Sequence, residues 1–128
     1  MIEYPAPADL IVAHAYALGV SVRTARYHVL HRDRLEAAAA RPAVHAHYAG
    51  SDVVMQAAIL AEAMVRGHCF VDGNKRTAWT ALRSFLVVNG TGRVAASDAA
   101  AVDAMVRLTT RELDAEGLAR WLRRRLTS

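Results

Sequence analysis

A single lysine stands among the 16 basic residues of this 128-residue chain, a single cysteine is present, and no apolar run is long enough to cross a bilayer. Each scarcity excludes something. A lone Cys69 cannot close an internal disulfide, so the fold does not depend on cross-links and suits a reducing compartment. The apolar stretches fall short of the roughly 20 residues that a spanning helix needs, which sets a membrane protein aside. The opening, MIEYPAPADLIVAHAYALG, places Glu3 where an export signal would carry basic residues, and Asp9 and His14 break its apolar stretch. The expectation is a cytoplasmic protein without a targeting segment.

What is present points to helices and a basic surface. The hydrophobic fraction of 54% is raised by alanine, which favours helix and buries little area per residue. A net charge of +4 and a pI near 9.8 invite a nucleic-acid partner, because a basic domain gains by releasing counterions from a polyanion. The arginines, however, are scattered from Arg23 to Arg125, and the one tight run, Arg123–Arg125, spreads around the last helix. A free nucleotide or an acidic partner protein suits the charge equally well. The sole lysine, Lys75, falls in the densest polar cluster of the chain, where a slim, flexible point charge does what a planar guanidinium cannot.

The length suits one domain spanning residues 1–128, with helix following helix. Asp9 is placed to cap a helix reaching Leu18 and stopped by Gly19. Residues 19–30 mix β-branched and aromatic side chains without periodicity and read as a loop. Asp33 opens an alanine-rich helix through Arg41, which Pro42 should end. Residues 42–50 alternate apolar and polar and read as an extended flap, with His45 and His47 on one side of it but no third metal ligand in sight. Ser51 is placed to cap a long helix closed by Gly67. Asn74 begins another that ends at Asn89-Gly90, Ser97 caps one to Leu108, and Asp114 caps the last. The fold class expected is all-α, a single-domain helical bundle with at most a small extended flap.

The polar cluster is 68-HCFVDGNKRTA-78, a loop between two core helices. It brings Asp72, Gly73, Asn74, Lys75 and Arg76 to a helix N-terminus, where unpaired amides and the macrodipole favour phosphate. Gly73 permits a tight turn and a close approach of an oxygen to the amides. Lys75 and Arg76 add positive charge. Asp72 offers the hard oxygen that Mg²⁺ takes when it also holds substrate phosphates. His68, at the other end of the loop, could accept a proton from an incoming hydroxyl. Singly, each residue has an ordinary explanation: a helix cap, a turn, a core aromatic at Phe70. Their joint spacing suggests a Mg²⁺-nucleotide site.

That spacing resembles the signature of the Fic/Doc family, specifically its death-on-curing (Doc) branch. Fic enzymes proper carry H-[PX]-F-x-[DE]-G-N-G-R and Doc toxins H-x-F-x-[DN]-[AG]-N-K-R; the segment here is H-C-F-V-D-G-N-K-R. DLIVAHAYALG, RDRLEAAAARP, the helix ending VRGH and the end FLVVNG also look like their Doc counterparts, so nearly the whole chain is covered. The resemblance implies a Fic/Doc-like bundle with His68 as catalytic base and Asp72 as the Mg²⁺ and proton-positioning acid. Gly73, Asn74, Lys75 and Arg76 would hold the phosphates of ATP. In Fic enzymes a glycine matches Lys75 and leaves room for AMP transfer; the Doc lysine turns the nucleotide round, so that the γ-phosphate faces the histidine and the reaction becomes protein phosphorylation. Trp79 stands where Fic enzymes proper have a second arginine and Doc toxins an apolar residue. Cys69 takes a place often held by proline or isoleucine and is expected to be a small buried apolar residue. AMP transfer from the same pocket and a non-enzymatic helical binding module are the alternatives.

The resemblance also implies partners. Doc toxins modify elongation factor Tu and halt translation, and each is neutralised by a small antitoxin of the prevents-host-death type, through which alone nucleic acid is contacted. Self-restraining Fic enzymes carry [ST]-x-x-x-E-[GN]; none of Glu3, Glu36, Glu62, Glu112 and Glu116 follows a serine or threonine at that spacing. Control is therefore expected to come from outside the chain.

Overall fold

Residues 53–67 carry apolar side chains on nearly every face, and a helix that is apolar all round belongs in the interior. In the computed structural model, which describes residues 1–127, this segment is α4 (Val53–Gly67), with Ala57, Ala58, Leu60, Ala61 and Met64 almost wholly buried. Around it pack α3 (Arg32–Ala49), α5 (Asn74–Val88), α6 (Asp98–Thr109) and α7 (Ala115–Arg123). The N-terminal α1 (Pro7–Leu18) lies against α5 and α3, and α2 (Val22–Tyr27) follows it. The alanines of α4 allow close helix approach, while Leu82, Leu86, Leu108, Leu118 and Leu122 supply the buried area. Fully buried Gln56 is satisfied, accepting from the Tyr4 hydroxyl at 2.7 Å and donating to the Ser51 carbonyl at 2.8 Å. The fold class is all-α, as expected, and no helix among the described residues is long and apolar enough to cross a membrane.

Several boundaries differ from expectation. Residues 19–30 are not all loop: Ser21 accepts from the Thr24 amide at 3.0 Å and caps α2, which at 6 residues is too short to show a period. Pro42 does not end α3; it is buried inside the helix, which runs on to Gly50 in the left-handed conformation (φ 63°). The restriction on the residue before proline is a preference, and alanine-rich flanks packed on α4 outweigh one lost backbone bond. The segment 42–50 is therefore helix rather than flap, and two residues of spacing no longer put His45 and His47 on one side. His45 meets Ser51 Oγ at 3.0 Å, and the His47 ring sets its edge against Tyr48. The extended structure lies elsewhere, in an antiparallel ribbon of β1 (Arg93–Val94) and β2 (Leu126–Thr127). Asp9 sits in the first turn of α1, its carboxylate accepting from the Ala6 amide at 2.7 Å, and Asp33 likewise lies within the first turn of α3.

Asp52, not Ser51, caps α4. Its Oδ1 accepts from the Met55 amide at 2.9 Å, and both its oxygens accept from Arg123 of α7 at 3.0 Å. The Met55 amide first, then Arg123, holds the carboxyl below its ordinary value of 3.8. A depressed carboxyl stabilises the fold above the unfolded value and loses that contribution as pH falls through the folded one. Asp52→Ala should thus cost about 1 kcal/mol at neutral pH, mostly from the cap because the ion pair is exposed, and the difference should vanish in acid below the folded-state value. Paired urea melts of wild type and variant at neutral and acid pH measure it.

Candidate functional site

The motif loop is built between the end of α4 and the start of α5, and both ends adopt left-handed backbone. His68 follows Gly67 at φ 48°, ψ 52°, a conformation uncommon for a residue with a side chain but accessible to histidine. It leaves the imidazole exposed and, among the described residues, without a hydrogen-bond partner. Cys69 and Phe70 then turn into the core, both at 1% exposure or less, as expected for the small apolar and anchoring positions. Burial raises the Cys69 thiol above its ordinary range, which keeps it protonated and unreactive.

Gly73 closes the loop at φ 72° and serves as N-cap of α5. Two constraints meet there: the left-handed backbone, and a Cβ that would stand 2.6 Å from Leu18 Cδ1 of α1. Gly73→Ala should therefore lower stability by about 1–2 kcal/mol from backbone strain alone, with the Leu18 clash in addition, and impair nucleotide binding. A thermal melt with and without nucleotide separates the two effects.

After Gly73 the first intrahelical bond runs from the Thr77 amide to the Gly73 carbonyl at 2.9 Å, so the amides of Asn74, Lys75 and Arg76 precede the ladder and face outward as donors. The Asn74 side chain is already committed: Oδ1 accepts from the Phe70 amide and Nδ2 donates to the Phe70 carbonyl, each at 2.9 Å. Its backbone amide, not its carboxamide, is what an anion would meet. Asp72 Oδ1 accepts from the Gly73 amide at 2.8 Å, orienting the carboxylate at the loop tip.

Asp72, Gly73, Asn74, Lys75 and Arg76 line one cavity of about 450 Å³, together with Trp79 of α5 and Asp98, Ala101, Val102 and Met105 of α6. His68 is not part of that lining. It stands at the opposite end of the loop, so five of the six residues singled out in the sequence share a cavity and the sixth lies outside its lining. Neither Trp79 nor the α6 wall was indicated as cavity lining by the sequence; they come together only through the packing of α5 on α6. The donors fit a magnesium ion held mainly by its substrate: Asp72 supplies one carboxylate, and among the described residues no group of three His, Cys, Asp or Glu could enclose a cation unaided.

The loop is further pinned from outside. The segment after α2 forms a bridge, Val29 opposite Phe70, in which the Leu30 and Val71 amides donate to the Cys69 and His28 carbonyls at 2.8 Å each. Below it lies His14 of α1, fully buried, its ring stacked on Phe70 with centroids 4.0 Å apart. In the sequence His14 is visible only as an interruption of an apolar stretch.

Against known proteins, a sequence model described as the Fic/DOC family matches residues 5–86. The chain is also 36% identical over 122 residues to a protein named Toxin Doc from Mycolicibacterium smegmatis (strain ATCC 700084 / mc(2)155), covering 93% of this chain and 90% of that one.

Proposed function

Because the chain belongs to the Fic/Doc family, we propose that it is the toxin of a toxin–antitoxin pair and that it transfers the γ-phosphate of ATP to a hydroxyl side chain of a protein. The observation that carries this is the start of α5: outward amides of Asn74, Lys75 and Arg76, two cationic side chains and the Asp72 carboxylate converge on one cavity, with an unencumbered imidazole at the other end of a short, pinned loop.

The phosphates lie on the α5 N-terminus, where Lys75 and Arg76 neutralise charge that spreads over the transferred oxygens in the transition state. Asp72 would hold Mg²⁺, which supplies further neutralisation of the phosphate oxygens. His68 takes the proton of the acceptor hydroxyl as its oxygen bonds to the γ-phosphorus; the bond to the β-phosphate oxygen breaks and ADP leaves. Lys75, in the place of the Fic glycine, favours this orientation over the one that transfers AMP. Elongation factor Tu is the proposed target and a prevents-host-death antitoxin the proposed partner, both on the strength of the Doc resemblance. Incubation of the purified chain with a bacterial lysate and ATP labelled at either the γ- or the α-phosphate should label a protein only from the γ position. Label from the α position would make it an AMP transferase, and none from either would leave only the binding-module alternative.

A further inference from the structure

Burying an imidazole in a helical core is costly unless both ring nitrogens are bonded, and a leucine would fill the space without that cost. His14 is nevertheless fully buried, with both nitrogens engaged: Nδ1 lies 2.8 Å from Thr77 Oγ1 and Nε2 lies 2.9 Å from His28 Nδ1. The directions follow from the third link. The Thr77 hydroxyl donates to the Gly73 carbonyl at 2.8 Å, so its oxygen accepts from His14 Nδ1–H. Neutral His14 then offers its bare Nε2 to His28 Nδ1–H. Burial, and next the neighbouring His28, lower the His14 pKa while Asp72 opposes them, which agrees with a neutral ring.

The chain of contacts reaches both ends of the motif loop. At one end the His14 ring stacks on Phe70 within 4° of parallel, two residues from His68. At the other it bonds through Thr77 to Gly73, the N-cap on which the phosphate amides are mounted. His28 closes the circuit, since its backbone carbonyl holds the Val71 amide in the middle of the same loop at 2.8 Å. We propose that His14 is a positioning residue: by way of Phe70 and Thr77 it fixes the separation between His68 and the α5 N-terminus. This rests on His68 acting as the base in the proposed transfer.

Small displacements between reacting groups cost rate steeply, while the amides of a helix terminus bind phosphate wherever the loop sits. His14→Phe keeps the volume and the stack but removes both bonds. It should lower kcat about 100-fold and change the KM for ATP less than about 3-fold. Thr77→Val should do the same from the other side of the bond, and Thr77→Ser, which retains the hydroxyl, should recover most of the rate. Independently of activity, His14→Phe and Thr77→Val should speed hydrogen exchange at the Phe70 and Val71 amides. Lower melting temperatures with unchanged kcat and unchanged exchange at these amides would overturn the proposal. If His68→Ala retains full transfer, the base assignment fails instead, and the exchange measurement still decides whether His14 orders the loop.

Discussion

Alanine at position 68 is expected to lower phosphate transfer by about 100- to 10,000-fold while leaving nucleotide affinity nearly unchanged. His68 lies outside the lining of the cavity, and its imidazole has no partner among the described residues, so its removal should leave the proposed phosphate contacts of Asn74, Lys75 and Arg76 in place. Single-turnover transfer and calorimetric titration with ATP, run on the same preparation, check both halves. Lost ATP binding with preserved turnover would reverse the assignment, making His68 a ligand-holding group rather than a base.

The second large effect is expected at Lys75. Lys75 lies in the first turn of α5 and lines the same cavity as Arg76. Lys75→Gly removes a charge and, on the proposed reading, the bulk that selects between the two nucleotide orientations. Phosphate transfer should fall at least about 100-fold, and the space released should permit some AMP transfer. The arginine variant gives a useful contrast: it restores charge but not the slim shape, and should recover little activity. Undiminished phosphorylation by Lys75→Gly would show that the lysine does not set the orientation.

The sequence carried a large part of this picture. Helix ends marked by local chemistry were legible: Gly19 after α1, Ser97 before α6, Asp114 before α7, and the Asn89-Gly90 end of α5. What misled were signals that tertiary packing overrides. Pro42 reads as a stop, yet it is buried within a continuous helix that packs on α4, and the alternation after it has no strand to serve. In the motif, residue types and spacing identified Asp72 to Arg76 as one cluster because they lie within one loop and one helical turn. The supporting network was not legible for the opposite reason. His14 and Thr77 are 63 residues apart, and only the packing of α1 on α5 turns an apparently misplaced histidine into a bonded one. Asn74 illustrates a subtler limit: the sequence reading assigns it to a phosphate nest, but only the fold reveals that its carboxamide is spent on Phe70.

Exclusive γ-phosphate transfer is the central claim, and the intact mass of a modified target tests it most directly. A purified substrate protein, incubated with this chain, Mg²⁺ and ATP, should gain the mass of one phosphoryl group on a hydroxyl side chain, and should gain it at least about 100-fold more slowly when the chain carries His68→Ala. A gain equal to a nucleotidyl group would contradict the account, because it would mean that the cavity presents the α-phosphate despite Lys75.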